Sequence, residues 1–205
     1  NYQSWISNYY EKNYTDGSSI NMEELNKLLS EYIDNGAYPG IQWQINIKDK
    51  LYFGKVGFNN IESKEPIRNN SIYRIWSMTK PVVAVAAMQL LDQNKINLND
   101  PITKYLSEFS NLKVLKNQNS NIDDIEDLKK IPTIKDLLLH TAGFSYNFLE
   151  DPIGKQYDFI RLFNSNSTTL EEEIKILSSV PLLFQPGTSW RYSVSMDVLG
   201  RIIEV

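Results

Sequence analysis

Residues 82–91, Val-Val-Ala-Val-Ala-Ala-Met-Gln-Leu-Leu, are apolar on nearly every face of a helix. A surface helix carries one apolar stripe, so this one is expected inside a domain. It is opened by Ile75-Trp76-Ser77-Met78-Thr79-Lys80-Pro81. Pro81 is tolerated there because it falls in the first turn. Positions three apart share a helix face, so the spacing predicts that the Ser77 hydroxyl meets the Lys80 amine. A helix N-terminus also favours developing negative charge. Together these features suit a serine nucleophile with a lysine partner, and hence acyl transfer. The plainer alternative is an N-cap serine beside a lysine that snorkels to solvent.

Context separates this Ser-x-x-Lys from a second one, Ser110-Asn-Leu-Lys113. The second lies in the polar stretch 107–130, rich in Asn, Asp and Lys, where a lysine stays solvated and charged. At residues 77–80 the lysine is rooted in an apolar helix. A serine hydroxyl attacks only once something takes its proton. Lysine, with an ordinary pKa of ~10.4, does so only if burial and nearby positive charge lower that value by roughly 3 pH units, on the order of 4 kcal/mol. An uncharged Lys80 is therefore expected.

A proton relay to the leaving group is also needed. Pro186-Gly187 marks a turn, and Tyr192 lies just before Ser195, which reads as the N-cap of a helix over 196–205. A phenol at such a loop–helix junction can face a cleft. An ordinary half-buried tyrosine is the competing description.

With these residues in view, the chain resembles the serine β-lactamase and penicillin-binding protein superfamily, whose Ser-x-x-Lys is a defining element. It is most similar to the class C-like branch, which includes D,D-peptidases and family VIII carboxylesterases. Five stretches carry the resemblance in order: Tyr38-Pro39-Gly40-Ile41; Tyr73 through Pro81; 90–106 with Asn97-Leu98-Asn99-Asp100-Pro101; Ile134 through Phe144; and Phe184 through Gly200. The resemblance covers residues 37–205. It implies an α+β, β-lactamase-like fold, in which a mostly helical region packs on an antiparallel sheet. It also implies Ser77 as acylated nucleophile, Lys80 as general base or relay, Tyr192 as the group that passes a proton to the leaving group, and the Ser77 N–H as half of an oxyanion hole. No cofactor or metal is implied.

Two departures refine the expectation. Many members carry Tyr-x-Asn, whose amide holds a substrate amide; here the third position is Val194. That looks more like the esterase branch. The family's third motif, Lys-Thr-Gly, His-x-Gly or Trp-Gly-Gly on a later strand, is absent. Lys55-Val56-Gly57 precedes the nucleophile and reads as a strand residue and a turn glycine. The resemblance therefore implies a partial domain over 21–205, holding only the first two strands of the sheet, after an N-terminal extension over 1–20. The rest of the sheet is expected from further chain or from a second chain, since a lone two-strand ribbon is marginal in water.

Composition bounds the remainder. With 41% apolar and 22% charged residues the chain is ordinary globular material. A net charge of −4 without a basic block lacks the footprint of nucleic-acid binding. The absence of Cys excludes disulfides, thiolate metal sites and cysteine nucleophiles. No stretch reaches the ~18–20 apolar residues of a membrane span. The N-terminus shows no signal-peptide core, is expected to be trimmed, and leaves the compartment open between export and cytoplasm.

Along the chain, Asn21 and Glu24 read as a capping pair for a helix over 22–34, closed by Gly36. Residues 41–47 alternate strictly and turn at 48–50 into a strand over 51–56. After the nucleophile helix the chain reads as mostly helical to about residue 180. Thr133 with Asp136 caps one helix there, and 170–180 forms another. His140, the only histidine, reads as a helix-end residue and not as a catalytic base. Trp43, Trp76 and Trp190 suit either a pocket or the core. The functional expectation is a serine carboxylesterase acting on a small ester through acyl-Ser77. A β-lactamase or D,D-peptidase acting on amides, and a non-catalytic sensor or inactive fragment, are the alternatives.

Overall fold

Lys48 and Asp49 both take left-handed φ angles, 47° and 64°, forming the two-residue turn whose twist suits a tight hairpin. The turn joins β1 (Gly40–Ile47) to β2 (Lys50–Asn60), antiparallel with Ile47 opposite Lys50 and Gly40 opposite Gly57. Along β1, Trp43, Ile45 and Ile47 are half-buried while Gln42, Gln44 and Asn46 are exposed, as period-2 alternation requires. β2 runs four residues beyond the strand expected at 51–56. The Asn60 side chain then accepts from the Ser63 N–H at 3.0 Å, and β3 (Glu65–Pro66) pairs back on β2. This sheet therefore has three strands, not two, because an Asx turn closes a second hairpin.

The residues described in this computed structural model are 22–164 and 167–205; the expected extension over 1–20 and the Asn21 cap lie outside them. The chain divides into two compact units, one reaching to Arg74 and one from Ile75 to Val205. In the first, α1 (Met22–Asp34) packs on β2, and its Leu25, Leu28, Leu29 and Ile33 are half-buried. Trp43 fastens it by donating from Nε1 to Asn26 Oδ1 at 2.9 Å. The helix ends where Gly36 adopts φ 75°, a conformation that costs glycine little.

The second unit has its own core, which includes Ile102, Phe109, Ile134, Leu137, Phe144, Leu177 and Leu199, all fully buried. A 3₁₀ turn, Trp76–Met78, leads into α2 (Thr79–Asp92). Two further 3₁₀ turns, Ile102–Lys104 and Ser107–Asn111, precede a small antiparallel ribbon of β4 (Lys113–Leu115) and β5 (Ile125–Asp127). Four helices follow: α3 (Ile134–Leu138), α4 (Pro152–Phe159), α5 (Leu170–Leu177) and α6 (Ser195–Glu204). The fold is α+β. The region read as mostly helical thus also holds a ribbon, since Asn, Asp and Lys around it favour turns over helix.

Local signals explain the helix starts. Thr133 and Asp136 form a capping box on α3, and Thr169 with Glu172 does the same on α5. Ser195 is not a cap: Val194 holds that position without a side-chain bond, and Ser195 Oγ lies 2.7 Å from Ser193 Oγ. The second difference concerns α2. Ala87 is its one fully buried residue, and Val82 and Val85 are 62% and 59% exposed. Val83, Ala84, Leu90 and Leu91 pack on the core, and α6 is the helix against which α2 lies. Hydropathy reports how apolar a helix is, not how many neighbours it receives.

Candidate active site

The 3₁₀ turn carries Ser77, and one turn later α2 carries Lys80 on the same face. Lys80 Nζ donates to Ser77 Oγ at 3.3 Å. Trp76, which precedes the serine, has φ 46°, a left-handed backbone uncommon for a bulky residue. Tyr192 reaches the same serine from 115 residues away, its hydroxyl donating to Ser77 Oγ at 2.7 Å. The three residues singled out from the sequence therefore converge on one oxygen.

Tyr192 is placed by backbone pairing. The segment after α3 binds the segment before α6 through Leu183 N to Gly143 O at 2.7 Å, Gly187 N to Thr141 O at 2.8 Å, Arg191 N to His140 O at 3.0 Å and Val194 N to Ser145 O at 3.1 Å. Gly143 has φ 97°, and a Cβ there would stand 2.4 Å from the Phe184 carbonyl, so this seam requires glycine. Beneath it, Asp136 is buried and accepts from the Thr133 N–H at 3.0 Å, Thr133 Oγ1 at 2.8 Å, Lys130 at 3.1 Å and Thr141 Oγ1 at 3.1 Å. His140 takes φ 55° just past the helix end. Its Nδ1 accepts from the Ser193 N–H at 3.3 Å, and its ring lies 5.1 Å from that of Tyr192. It supports the tyrosine rather than bonding Ser77.

Tyr146 is a member of the site that the sequence reading missed. It stands two residues beyond the loop ending at Phe144, and its hydroxyl accepts from Lys80 at 2.9 Å. The Lys80 amine also lies over both phenol rings, 5.2 Å from the centre of Tyr146 and 4.8 Å from that of Tyr192. Phe148 stacks on Tyr146 at 4.8 Å. No local pattern marks a loop tyrosine that returns to a lysine 66 positions earlier.

The charge state differs from the expectation of a neutral amine. Burial pulls the Lys80 amine down, but hydrogen bonds to Tyr146 and Tyr192 outweigh it, and its pKa stands above the ordinary lysine value. The ammonium acts in turn on its neighbours. For Tyr192, burial raises the phenol pKa, yet hydrogen bonds with Lys80 and Ser77 and the Lys80 charge carry it below the ordinary value. For Tyr146, burial dominates and the pKa is raised. His140 is lowered by burial and by the Lys80 charge. Of the two phenols, Tyr192 is the one whose pKa is carried below the ordinary value.

A cavity of about 410 Å³ opens beside these groups, lined in part by Trp76, Val83, Phe148, Leu162, Val194 and Met196. Of the three tryptophans considered, Trp76 lines it, Trp43 belongs to the first unit, and Trp190 packs edge-on against His140. The other Ser-x-x-Lys does not assemble: Ser110 Oγ donates to the Ser107 carbonyl at 2.6 Å, and Lys113 pairs with Asp127.

Comparison with known proteins identifies the family and the fold. The family model described as Beta-lactamase matches residues 25–205. Esterase EstB of Burkholderia gladioli is 34% identical over 157 residues, covering 75% of this chain and 37% of its own. An uncharacterized protein of Mycobacterium tuberculosis is 32% identical over 186 residues, 90% of this chain and 45% of its own. Among solved structures, "EstCE1, a hydrolase with promiscuous acyltransferase activity", superposes with a TM-score of 0.72 at 27% identity, over 88% of this chain and 45% of that one. The chain thus spans less than half the length of these relatives.

Proposed function

This chain belongs to the beta-lactamase family, and from that premise we propose that it carries the nucleophile and proton relay of a serine hydrolase that cleaves carboxylic esters through an acyl-Ser77 intermediate. The observation that supports this most is the convergence of Tyr192 Oη and Lys80 Nζ on Ser77 Oγ, at 2.7 and 3.3 Å.

In this reading the Tyr192 phenolate, favoured by the Lys80 ammonium, takes the Ser77 proton as Oγ attacks the ester carbonyl carbon. The tetrahedral oxyanion collapses, Tyr192 gives the proton it took to the leaving alkoxide, which departs as the alcohol, and acyl-Ser77 and the Tyr192 phenolate remain. A water then gives a proton to Tyr192 while its oxygen attacks the acyl carbon. The carboxylic acid departs and Ser77 regains its proton. Lys80 stays charged throughout. It holds Tyr192 in its reactive form and steadies the negative charge passing between the two oxygens.

Ester over amide is favoured by Val194, a buried residue on the wall of the cavity that Ser77 also lines, at the position where many members of the family carry an amide side chain. The apolar lining of the cavity suits a hydrocarbon acyl group. Relatives named as esterases point the same way. The test is labelling of the chain by a fluorophosphonate probe. Labelling is expected in the native chain and absent in Ser77→Ala; equal labelling of the two would sink the assignment. A short-chain p-nitrophenyl ester is expected to turn over faster than a chromogenic cephalosporin, and the reverse order would favour the β-lactamase alternative.

A further inference from the structure

Four consecutive residues, Trp190 to Ser193, meet His140. The Arg191 N–H donates to the His140 carbonyl at 3.0 Å, and the Ser193 N–H donates to its Nδ1 at 3.3 Å. The residues on either side of Tyr192 are thus bonded to one histidine. Between them the Tyr192 ring lies 5.1 Å from the imidazole, and Trp190 meets it edge-on at 6.5 Å. The phenol that reaches Ser77 Oγ at 2.7 Å therefore stands on a segment fastened at both flanks.

These bonds also fix the state of the ring. A backbone N–H can only donate, so Nδ1 presents its lone pair and the ring proton sits on Nε2. The neighbouring hydroxyls fit that tautomer. Ser193 Oγ lies 3.2 Å from Nδ1 and 2.7 Å from Ser195 Oγ, and it accepts from the Ser195 N–H at 3.4 Å. With Nδ1 bare, one direction serves every group: the Ser195 hydroxyl gives to Ser193, and the Ser193 hydroxyl gives to Nδ1. Both serines are buried, so each hydroxyl must find its partner within the protein. Burial and the Lys80 charge both lower the imidazole pKa, which agrees with an uncharged ring.

We propose that His140 is a positioning residue for Tyr192: its uncharged ring, with Nδ1 open as an acceptor, fixes residues 190–193 so that the phenol stands on Ser77. This rests on the reading of Ser77 as nucleophile and Tyr192 as its base. His140 acts through Tyr192, not on Ser77.

One test needs neither a variant nor a reaction. The chain holds a single histidine, so with ¹⁵N-labelled histidine every imidazole signal belongs to residue 140. At neutral pH the proton is expected on Nε2, with Nδ1 showing the shift of an unprotonated, hydrogen-bonded nitrogen. A proton found on Nδ1 overturns the proposal.

The second test uses two variants that both tolerate the left-handed backbone of His140, φ 55°. His140→Gly removes the acceptor. His140→Asn restores one near the place of Nδ1. Labelling of Ser77 by a fluorophosphonate is expected to slow about tenfold in His140→Gly, the upper range of one net hydrogen bond, and to recover most of that loss in His140→Asn. Native-rate labelling of His140→Gly, or equal loss in both variants, sinks the idea. With ¹³C-labelled tyrosine, the Tyr192 Cζ signal is assigned by its loss in Tyr192→Phe. It is expected to move in His140→Gly and to lie near its native place in His140→Asn. A Cζ signal unmoved in His140→Gly refutes the positioning role whether or not Ser77 reacts, whereas a native chain that fails to label refutes the hydrolase reading alone. Should His140→Gly not fold, His140→Gln replaces it, since its amide lies too far out to serve as Nδ1; native-rate labelling or an unmoved Cζ there is equally fatal.

Discussion

Single residues of the candidate site act on one another through their charges and hydrogen bonds. Lys80 is held charged by two phenols, so its effect is expected to appear in the titration of Tyr192. The direction follows from the roles. With Tyr192 as the general base proposed above, activity is expected to rise with pH through the Tyr192 pKa, and a pKa below the ordinary phenol value moves that rise to lower pH. Lys80→Met removes the charge and the hydrogen bond. The acid limb of kcat/KM, or of fluorophosphonate labelling, is then expected to move to higher pH while the rate at neutral pH falls by roughly 10²-fold or more. A limb that stays in place would mean that Lys80 does not set the state of Tyr192. The resting interactions also explain why the neutral lysine expected from burial is not found: one half-buried amine with three hydroxyl partners gains more from bonding as a cation than it loses to desolvation.

At the scale of elements, α3 and the seam beyond it decide whether Tyr192 reaches Ser77 at all. Asp136 anchors both, through the capping box and through Thr141. Burial raises its pKa, but hydrogen bonds from the Thr133 backbone and side chain and from Lys130 outweigh that and carry it below the usual carboxylate value. A depressed carboxyl stabilises the fold above its unfolded pKa of ~3.9, and that stabilisation is lost as pH falls through the folded pKa. Asp136→Ala is expected to cost about 2–3 kcal/mol in urea unfolding at pH 7, with the penalty shrinking below pH ~4. A pH-independent penalty would indicate lost packing instead of lost charge. Thr133→Ala, which removes the cap hydroxyl together with the γ-methyl, is expected to cost about 1 kcal/mol in the same measurement.

Across the whole molecule, the contrast lies between the two sides of α2. Ala87 has no exposed surface, while Val85 on the opposite side is 59% exposed. Ala87→Leu is expected to cost about 1–3 kcal/mol by overpacking. Val85→Ala is expected to change stability by no more than about 0.5 kcal/mol. Thermal or urea unfolding of the two variants checks the pair. Comparable losses at both positions would mean that the outer face is covered in solution, since only a packed valine is costly to truncate.

Much of this molecule was legible in its sequence because the signals are local. The 48–50 turn, the cap at Thr133 and the Ser77–Lys80 spacing depend on residues within four or five positions of each other, where backbone geometry leaves little choice. Tyr192 was legible as well, with the help of its turn and of a family resemblance. What tertiary structure alone decided is everything set by distant neighbours. Tyr146 joins Lys80 from 66 positions away, and no period or motif announces it. The charge on Lys80, the third strand of the first sheet, and the bare outer face of α2 belong to the same class. A protonation state is a balance of burial against bonding, and an apolar face is buried only where another surface arrives to cover it; neither quantity is written in the residues themselves.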